Sequence, residues 1–335
     1  MARGTASSRV VVVLGASSGI GRATAHALAR RGDTLVLASR SADALADVER
    51  ECLALVPGSR RHPHEAAAGG PPVLVVPTDV SVRDSVDRLF ERAVERYGRV
   101  DAVVHAPAVV GYGRFEDIPA EVFDQVIAVN LLGTANVARV ALRLFQRQGG
   151  GHLVLVGSLL GKIATPWMSP YVTSKWAVHG LARTIQVEAR ETPGVDVSLV
   201  SPGGVDTPIY AQAASYVRRE GRPPPPVDRP ETLARAIVKT LDKPARERSV
   251  GLANATWTAG FRFLPGVYDV LVGPGMSRLG LSTTAREPGA GNVFAPLPDG
   301  EDVTGKWGRH WLRGVGLVAV AAGAVGVRRV LAARH

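Results

Sequence analysis

The feature that most constrains the fold is an alternation of short β-branched runs with longer amphipathic stretches, which starts at Arg9. Nearly continuous apolar runs predict strands at 10–15, 34–39, 73–80, 101–107, 151–158 and 195–203. The stretches between them predict helices at 19–31, 41–55, 81–97, 119–147 and 170–192. Strands without a polar face are typical of a parallel sheet covered on both sides. The pattern predicts an α/β fold with a doubly wound parallel sheet that binds ligands at the carboxyl ends of its strands.

The chain divides into one domain and a C-terminal extension. Two Pro- and Gly-rich connections, 56–72 and 221–230, are predicted surface loops, and the second is expected to close over the ligand site. The predicted segments are a disordered tail at 1–8, a single domain at 9–251, an apolar and loop segment at 252–308 and a C-terminal helix at 309–335.

Composition excludes several classes of protein. The formal net charge is +10, yet only five of the 40 basic residues are lysine, and no zinc-finger spacing or RNA-binding motif accompanies the charge. We therefore expect no nucleic-acid partner. The histidines His62 and His64 lie in a predicted loop without further ligands, so no metal is expected. The single cysteine, Cys52, fits a reducing compartment, and the N-terminus lacks a secretory signal, so the expected location is the cytoplasm.

A glycine-rich turn follows the first predicted strand and opens the first predicted helix. Its sequence, GASSGIG, places Gly15, Gly19 and Gly21 in the spacing G-x-x-x-G-x-G. Glycines let a backbone turn tightly beside a pyrophosphate, and the helix N-terminus offers amide donors and a positive dipole end. The position of the turn favours dinucleotide binding over a plain turn. The predicted contacts are Gly15, Ser17, Ser18, Gly19, Ile20 and Gly21.

The end of the second strand indicates which dinucleotide is bound. A site for NAD places an acidic side chain here for the ribose 2′-hydroxyl, whereas an arginine suits the 2′-phosphate of NADP. Ser39 occupies the expected acidic position and Arg40 follows it, so NADP is favoured and NAD is the alternative. Asp79 and Val80, after the third strand, are expected at the same edge, although Asp79 could equally cap the next helix.

The stretch SPYVTSK places Tyr171 and Lys175 one helical turn apart, on one face of a helix. A phenol has a pKa of about 10, so it needs a nearby cation to act as an acid and base near neutrality. Lys175 is positioned to supply that cation. Ser158, at the end of the fifth strand, can hydrogen-bond a substrate carbonyl on which negative charge develops.

At this point the chain resembles the short-chain dehydrogenase/reductase family over residues 9–251. The matching motifs are GASSGIG, the DV pair at 79–80, VNLLGT, Ser158, YVTSK and SPGGVDTP at 201–208. The resemblance implies a Rossmann-like fold and an NAD(P)-dependent oxidoreductase that interconverts C=O and CH–OH groups of a small molecule. It also implies a homo-oligomer. The family commonly associates through long helices, here at 119–147 and 170–192, although the C-terminal extension could block one such interface.

The same resemblance assigns roles to individual residues. The implied catalytic residues are Asn130, Ser158, Tyr171 and Lys175. Lys175 would also hold the nicotinamide ribose, and Asn130 would anchor a water that relays protons to Lys175. The alternative for Asn130 is an amide that satisfies a backbone group. Contacts to the nicotinamide are implied for Pro202, Gly203 and Thr207.

One motif departs from the family pattern. After the fourth strand the family carries Asn-Asn-Ala-Gly, whereas this chain has His105-Ala-Pro-Ala. Pro107 removes a backbone donor from that loop, which weakens the expectation of cofactor contacts there. His105 is predicted to be a buried, hydrogen-bonded histidine and not a catalytic one.

The C-terminal extension raises the question of a membrane. Residues 257–281 are apolar and aromatic, which indicates a cover for the substrate cleft or a membrane contact, and 286–308 is a predicted loop. The uncharged run 314–327 has 14 residues, about 21 Å as a helix, against a hydrocarbon core of about 30 Å. Flanking apolar residues lengthen it if the neighbouring arginines snorkel. Residues 309–335 are therefore either a membrane anchor on the cytoplasmic side or a soluble packed helix.

Three functions follow from these observations. The first is an NADP-dependent oxidoreductase that uses Tyr171 as its acid and base. The second is a membrane-attached reductase of lipid-type carbonyls such as ketoacyl, steroid or long-chain aldehyde groups. The third is a non-catalytic NADP-binding regulatory protein, which would have no need of a proton donor at position 171.

Overall fold

A computed structural model of the chain describes residues 8–57, 72–297 and 300–308. Three sequence predictions concern residues outside this range. They are the N-terminal tail up to residue 7, the loop histidines His62 and His64, and the C-terminal helix at 309–335.

The core of the fold is a seven-stranded parallel sheet. Its strands are β1 (Val10–Leu14), β2 (Thr34–Ala38), β3 (Val73–Val75), β4 (Ala102–His105), β5 (Gly151–Val156), β6 (Val195–Pro202) and β7 (Glu247–Val250). They lie in the order β3-β2-β1-β4-β5-β6-β7. The order reverses between β1 and β4, so the strand ends open a crevice at that point. The predicted doubly wound parallel sheet is confirmed.

Helices cover both faces of this sheet. Those packed around the domain are α1 (Gly19–Arg31), α2 (Ala42–Leu55), α3 (Arg83–Tyr97), α4 (Ala120–Gln148), α5 (Ser169–Glu188) and α6 (Pro230–Asp242). Strand β1 shows why the strands are apolar throughout. Val11 and Val13 pack into one buried cluster with residues of α1, α2 and α6. Val10, Val12 and Leu14 pack into a second cluster with residues of α3, α4 and α5.

Helix α4 contains a π-helical turn at Ala128–Leu132, which brings Asn130 into the interior. Among the described residues, α4 is the one helix whose length and composition would suffice to cross a membrane, and half of its most apolar window is buried in the protein. Its apolar side chains pack on the sheet, as in the core helix of a globular domain.

The extension folds back onto the domain. Its apolar part forms α7 (Asn254–Phe263), α8 (Pro265–Gly275) and a π turn at Met276–Gly280. A strand at Leu281–Ala285 then pairs antiparallel with Arg219–Gly221, in the loop region that follows β6. Beyond this strand the chain is largely irregular, as predicted for 286–308, and it returns to the carboxyl edge of the sheet.

Candidate active site

Two clefts meet at the carboxyl edge of the sheet. The first, of about 950 Å³ including its open mouth, is lined by the glycine-rich turn and the ends of β2 and β4. The second, of about 1280 Å³, is lined by Ser158, Tyr171 and mainly apolar side chains. Ile20, Thr207 and Ile209 line both clefts. A ligand that fills the first cleft can therefore reach the reactive groups of the second.

The glycine-rich turn has the backbone geometry that the sequence predicts for a phosphate cradle. Gly15 and Gly19 have φ values of +75° and +52°, in the left-handed region that favours glycine. The Gly15 and Ala16 amides both donate to the Ala38 carbonyl, which fixes the turn on β2. A Cβ atom at Gly21 would lie 2.0 Å from the Gly15 carbonyl oxygen. The turn thus has the backbone shape of a pyrophosphate cradle at the start of α1, and its residues fit a dinucleotide.

We expect Gly21→Ala to destabilise the protein by about 3 kcal/mol, because the added methyl group meets backbone that cannot move without opening the turn. Urea denaturation followed by circular dichroism measures the change. Gly180→Ala is the matched control, since it lies within a helix and an added Cβ there meets nothing within 4 Å. Equal stability of the two variants would contradict this account of the turn.

The other predicted cofactor contacts also line the first cleft. Ser17, Ser18, Ser39, Asp79 and Val80 all do so. The side chain of Ser18 does not cap α1. The Asp79 carboxylate accepts hydrogen bonds from the Ser81 amide and hydroxyl, at 2.9 and 2.7 Å, so it stabilises the turn that precedes α3.

Arg40 lies at the cofactor edge of the sheet, where the sequence predicts it, and makes additional contacts there. Its guanidinium lines the first cleft, and it donates to the carbonyl oxygens of Asn292 and Val293, at 2.7 and 3.2 Å. Both carbonyls belong to the C-terminal extension. The side chain that the sequence assigns to a 2′-phosphate therefore also holds the extension across the cleft.

Ser158 and Tyr171 come together at the base of the second cleft. Tyr171 stands in the first turn of α5, half-buried, and the Ser158 hydroxyl is a hydrogen-bonding partner of its phenol. Burial raises the pKa of Tyr171 to about 12, and Ser158 offsets part of this rise. The lowering of this pKa by Lys175 that the sequence suggests is not found, and burial and Ser158 account for the shift. The phenol is thus protonated near neutral pH, which is the form that donates a proton.

Lys175 lies one turn further along α5 and is 3% exposed. Its Nζ donates to the Val156 carbonyl at 3.1 Å and lies 5.6 Å from the centroid of the Tyr171 ring. Burial lowers the pKa of Lys175 to about 8. No acidic side chain within the described residues forms an ion pair with it. The site therefore contains a buried cation that can titrate just above neutrality.

Asn130 is buried and fully engaged by neighbouring groups. Its Oδ1 accepts from the Val109 amide at 2.9 Å, and its Nδ2 donates to the Val109 carbonyl and the Ser174 hydroxyl, each at 3.0 Å. This is the backbone-satisfying arrangement that the sequence left open as the alternative. The amide links the loop after β4 to α5, next to Lys175.

His105 is the buried, hydrogen-bonded histidine that the sequence predicts. Its Nε2 lies 3.0 Å from the Thr134 hydroxyl, whose oxygen in turn donates to the Asn130 carbonyl. Burial, reinforced by the nearby Lys175, lowers the pKa of His105 to about 3, so the ring is neutral. Its Nδ1 has no hydrogen-bond partner in the part of the chain that the structure describes.

The second cleft contains residues that the sequence assigned and several that it did not. Pro202, Gly203 and Thr207 line its floor, as expected of contacts beside the reacting groups. Prolines 224–226 line the cleft as well, where a closing loop was predicted. Its aromatic members are Tyr112, Tyr210, Trp257 and Tyr268, and the last two lie in the stretch 257–281, for which the sequence predicts a cover of the cleft or a membrane contact. The last two come from α7 and α8, so the apolar part of the extension forms a wall of the cleft.

Comparison with known proteins agrees with this geometry. Residues 9–217 match the family model for short chain dehydrogenases, which ends before the extension. The uncharacterized oxidoreductase YxnA of Bacillus subtilis is 32% identical over 246 residues, which cover 72% of this chain and 65% of that relative. An uncharacterized oxidoreductase of Staphylococcus aureus is 33% identical over 236 residues, 70% of this chain and 92% of the relative.

Solved structures show the same relationship. The alcohol dehydrogenase of the archaeon Thermococcus sibiricus, in complex with 5-hydroxy-NADP, has a TM-score of 0.59 at 31% identity, covering 72% of this chain and 94% of its own. Levodione reductase shares the fold with a TM-score of 0.62 at 24% identity, covering 74% and 98%. From the family match and these relatives, we conclude that the chain belongs to the short-chain dehydrogenase family and is an oxidoreductase.

Proposed function

We propose that the protein is an NADP-preferring oxidoreductase that interconverts a carbonyl and a secondary alcohol, with Tyr171 as its acid and base. The observation that carries the proposal is that Ser158 and Tyr171 line an apolar cleft adjoining the glycine-rich cleft, with the buried Lys175 one helical turn beyond Tyr171. A regulatory protein that only binds a dinucleotide has no need of this proton donor or of a buried cation beside it.

The first cleft fits a dinucleotide. The turn from Gly15 to Gly21 would hold the pyrophosphate, Arg40 would face the ribose 2′-phosphate, and Lys175 would hold the nicotinamide ribose. Thr207 lines both clefts, which suits a contact to the nicotinamide. When bound, the nicotinamide supplies or accepts a hydride at the substrate carbon.

The chain's own groups manage the charge and the proton on the substrate oxygen. The Ser158 oxygen accepts a hydrogen bond from the Leu160 amide at 3.1 Å, and its hydroxyl, which pairs with the Tyr171 phenol in this structure, would donate to the carbonyl of a bound substrate. Tyr171 then gives its phenolic proton to that oxygen in reduction and takes it back in oxidation. The Lys175 ammonium stabilises the phenolate that remains. Asn130, through the Val109 backbone and Ser174, holds the loop and the helix around this group.

The shape and chemistry of the second cleft indicate the substrate class. No charged side chain lines it within the described part of the chain, and the polar groups are mostly hydroxyls around Ser158 and Tyr171. A carboxylate or phosphate would lose its hydration there without gaining a partner. We therefore infer an uncharged, largely apolar ketone, aldehyde or alcohol as substrate.

The experiment that tests the function is NADPH oxidation over a carbonyl panel, with NADH in parallel. The panel runs from short ketones to steroid ketones and long-chain aldehydes, and each neutral compound is paired with a carboxylate analogue of similar size. We expect turnover of neutral apolar members only. Turnover restricted to the carboxylates would contradict the substrate class, and tight NADPH binding without any turnover would favour the regulatory alternative.

The pH dependence of kcat/KM is expected to follow the protonation of Lys175. Reduction needs a protonated Tyr171 and a charged Lys175, so we expect kcat/KM for reduction to fall as the pH rises through about 8, where Lys175 loses its proton. Lys175→Arg should move this fall to higher pH, because arginine stays charged. The measurement is a kcat/KM profile between about pH 6 and about pH 10. A flat profile in the wild-type protein would contradict the assignment.

Surface apolar residues favour a membrane-attached form of the same function. Phe263 and Val270, on α7 and α8, are 74% and 71% exposed, and Leu264 and Leu271 are exposed beside them. These residues belong to the helices that form a wall of the apolar cleft, so a lipid-type carbonyl could pass from a bilayer to Tyr171. Vesicle flotation of the full chain tests this form, and a protein that stays unbound at every lipid composition would exclude it.

We further infer a homo-oligomer built through α4 and α5. Leu132 and Val187 are exposed on these helices. Phe261 of α7 packs edge-on against Trp176 of α5, with ring centroids 6.0 Å apart, so the extension already covers part of α5. Sedimentation equilibrium tests the inference, and a monomer at every protein concentration would contradict it.

A further inference from the structure

The last part of the extension crosses the dinucleotide cleft. We call residues 291–297 and 300–308 the strap. On one side of the cleft, the Arg40 guanidinium holds the carbonyls of Asn292 and Val293. The Gly19 amide, at the start of α1, donates to the Asp302 carbonyl at 2.8 Å. The strap therefore occupies part of the region that the family fold uses for the cofactor.

The strap also contacts the opposite side of the cleft. The Gly305 and Trp307 amides donate to the carbonyl and carboxylate of Asp206, at 3.2 and 3.0 Å. Lys306 forms an ion pair of 2.8 Å with Glu220, whose side chain is 8% exposed. These contacts lie in the loop region after β6, so the strap connects the two walls of the cleft.

Glu301 projects from the strap into the cofactor cleft. Its carboxylate faces the hydroxyls of Ser17 and Ser41 and the guanidinium of Arg40, and its Oε2 is buried with no hydrogen-bond partner among the described residues. Burial raises the pKa of Glu301, and the hydroxyls, Arg40 and Arg22 offset part of that rise. A carboxylate held in this way is incompletely compensated for the loss of water.

The groups around Glu301 are the same groups that would receive the ribose 2′-phosphate. Serine hydroxyls and an arginine fork are the usual donors to a phosphate, and Arg40 is the residue on which the NADP preference rests. Two anions at one set of donors repel each other, and the divalent 2′-phosphate is affected more than the uncharged 2′-hydroxyl of NAD.

We propose that Glu301 is a specificity-determining residue of the cofactor site, whose carboxylate competes with the 2′-phosphate of NADP for Ser17, Ser41 and Arg40. The inference rests on the proposed function, since it concerns the same dinucleotide. The Glu301 charge thereby weakens NADP binding more than NAD binding, whereas the strap backbone at Gly19 opposes the two dinucleotides equally. The preference of the enzyme for NADP over NAD is therefore smaller than Arg40 alone would produce.

The main chain, and not the Glu301 side chain, holds the strap in place. Arg22 donates to the Glu301 carbonyl, and Gly19 donates to the next carbonyl along the strap. Glu301→Gln keeps the length and shape of the side chain and removes only its charge. The substitution should therefore leave the strap closed and change the electrostatics of the cleft.

The test is equilibrium binding of NADPH and NADH to the full chain, read by the change in nicotinamide fluorescence. We expect Glu301→Gln to tighten NADPH binding about tenfold and to change NADH binding less than about twofold. Glu287→Gln is the matched control, because it removes the same charge from an exposed position of the extension. Thermal melting of each variant checks that the fold is kept.

Arg40→Gln separates failure of this inference from failure of the proposed function. If Arg40→Gln weakens NADPH binding and Glu301→Gln changes nothing, or tightens both dinucleotides equally, the role of Glu301 is refuted and the NADP site stands. If Arg40→Gln leaves NADPH binding unchanged, the NADP preference is wrong, and the inference about Glu301 fails with it.

Discussion

Tyr171→Phe is expected to lower kcat for carbonyl reduction by about three orders of magnitude, because it removes the group that we propose gives a proton to the substrate oxygen. The phenylalanine ring fills the same space, so the cleft and the helix α5 are expected to remain. Ser158 can still polarise the carbonyl, and hydride transfer without a proton donor accounts for the residual rate. NADPH oxidation in the presence of an apolar ketone measures the change.

Tyr97→Phe is the matched control, since Tyr97 ends α3 and does not line either cleft. NADPH binding, followed by fluorescence, should be the same in the wild type and in both variants. Retention of more than about a tenth of the wild-type kcat in Tyr171→Phe would show that another group supplies the proton. Loss of NADPH binding would instead show that the phenol is needed for the cofactor, and the acid–base assignment would lose its support.

The main architecture could be predicted because local pattern and burial agree in this chain. Strand β1 is apolar at every position, since successive side chains enter two different buried clusters. Both sides of such a strand are buried only when helices cover both faces of its sheet. The spacing of Tyr171 and Lys175 was informative for the same reason, because residues four apart on a helix share a face wherever the helix lies.

The pKa values of the site residues could not be predicted from the amino-acid sequence. A lysine four residues away suggests a lowered phenol pKa, yet both groups are buried. Burial raises the pKa of Tyr171 to about 12 and lowers that of Lys175 to about 8. The extent of burial is a property of the whole fold, including α7 and α8, and no local spacing encodes it.

The strap is the other feature that sequence reasoning missed. Its residues lie in a Gly- and Pro-rich stretch without periodicity, which predicts only a loop. Most of its contacts use backbone groups, such as the carbonyls of Asn292 and Asp302, and these leave no pattern in side-chain types. Glu301 is one acidic residue among many in the sequence, and only the return of the chain to the cofactor cleft gives it a role.

Lys175→Met should make the protein inactive and, at neutral pH, more stable. The side chain is 3% exposed, and burial lowers its pKa from 10.5 to about 8. A shift of this size corresponds to about 3 kcal/mol of lost stability wherever the lysine is charged in both the folded and the unfolded states. Methionine has a similar length without the charge. Loss of the bond to the Val156 carbonyl costs about 1 kcal/mol, so the net gain is about 2 kcal/mol.

The sign of the pH dependence provides the stricter test. The folded pKa lies below the unfolded one, so between the two values the unfolded chain binds more protons, and wild-type stability rises with pH from about 8 to about 10.5. The advantage of Lys175→Met must therefore shrink over that range. Urea denaturation at pH 7 and at about pH 9.5 measures this difference in stability. The control is Lys239→Met, at an exposed position of α6, whose free energy of unfolding should stay within about 0.5 kcal/mol of the wild-type value.

A Lys175→Met protein that is less stable than wild type at pH 7 would mean that the ammonium is compensated in the folded state. The pKa of Lys175 would then not be lowered to about 8, and the fall in kcat/KM for reduction would occur at a higher pH.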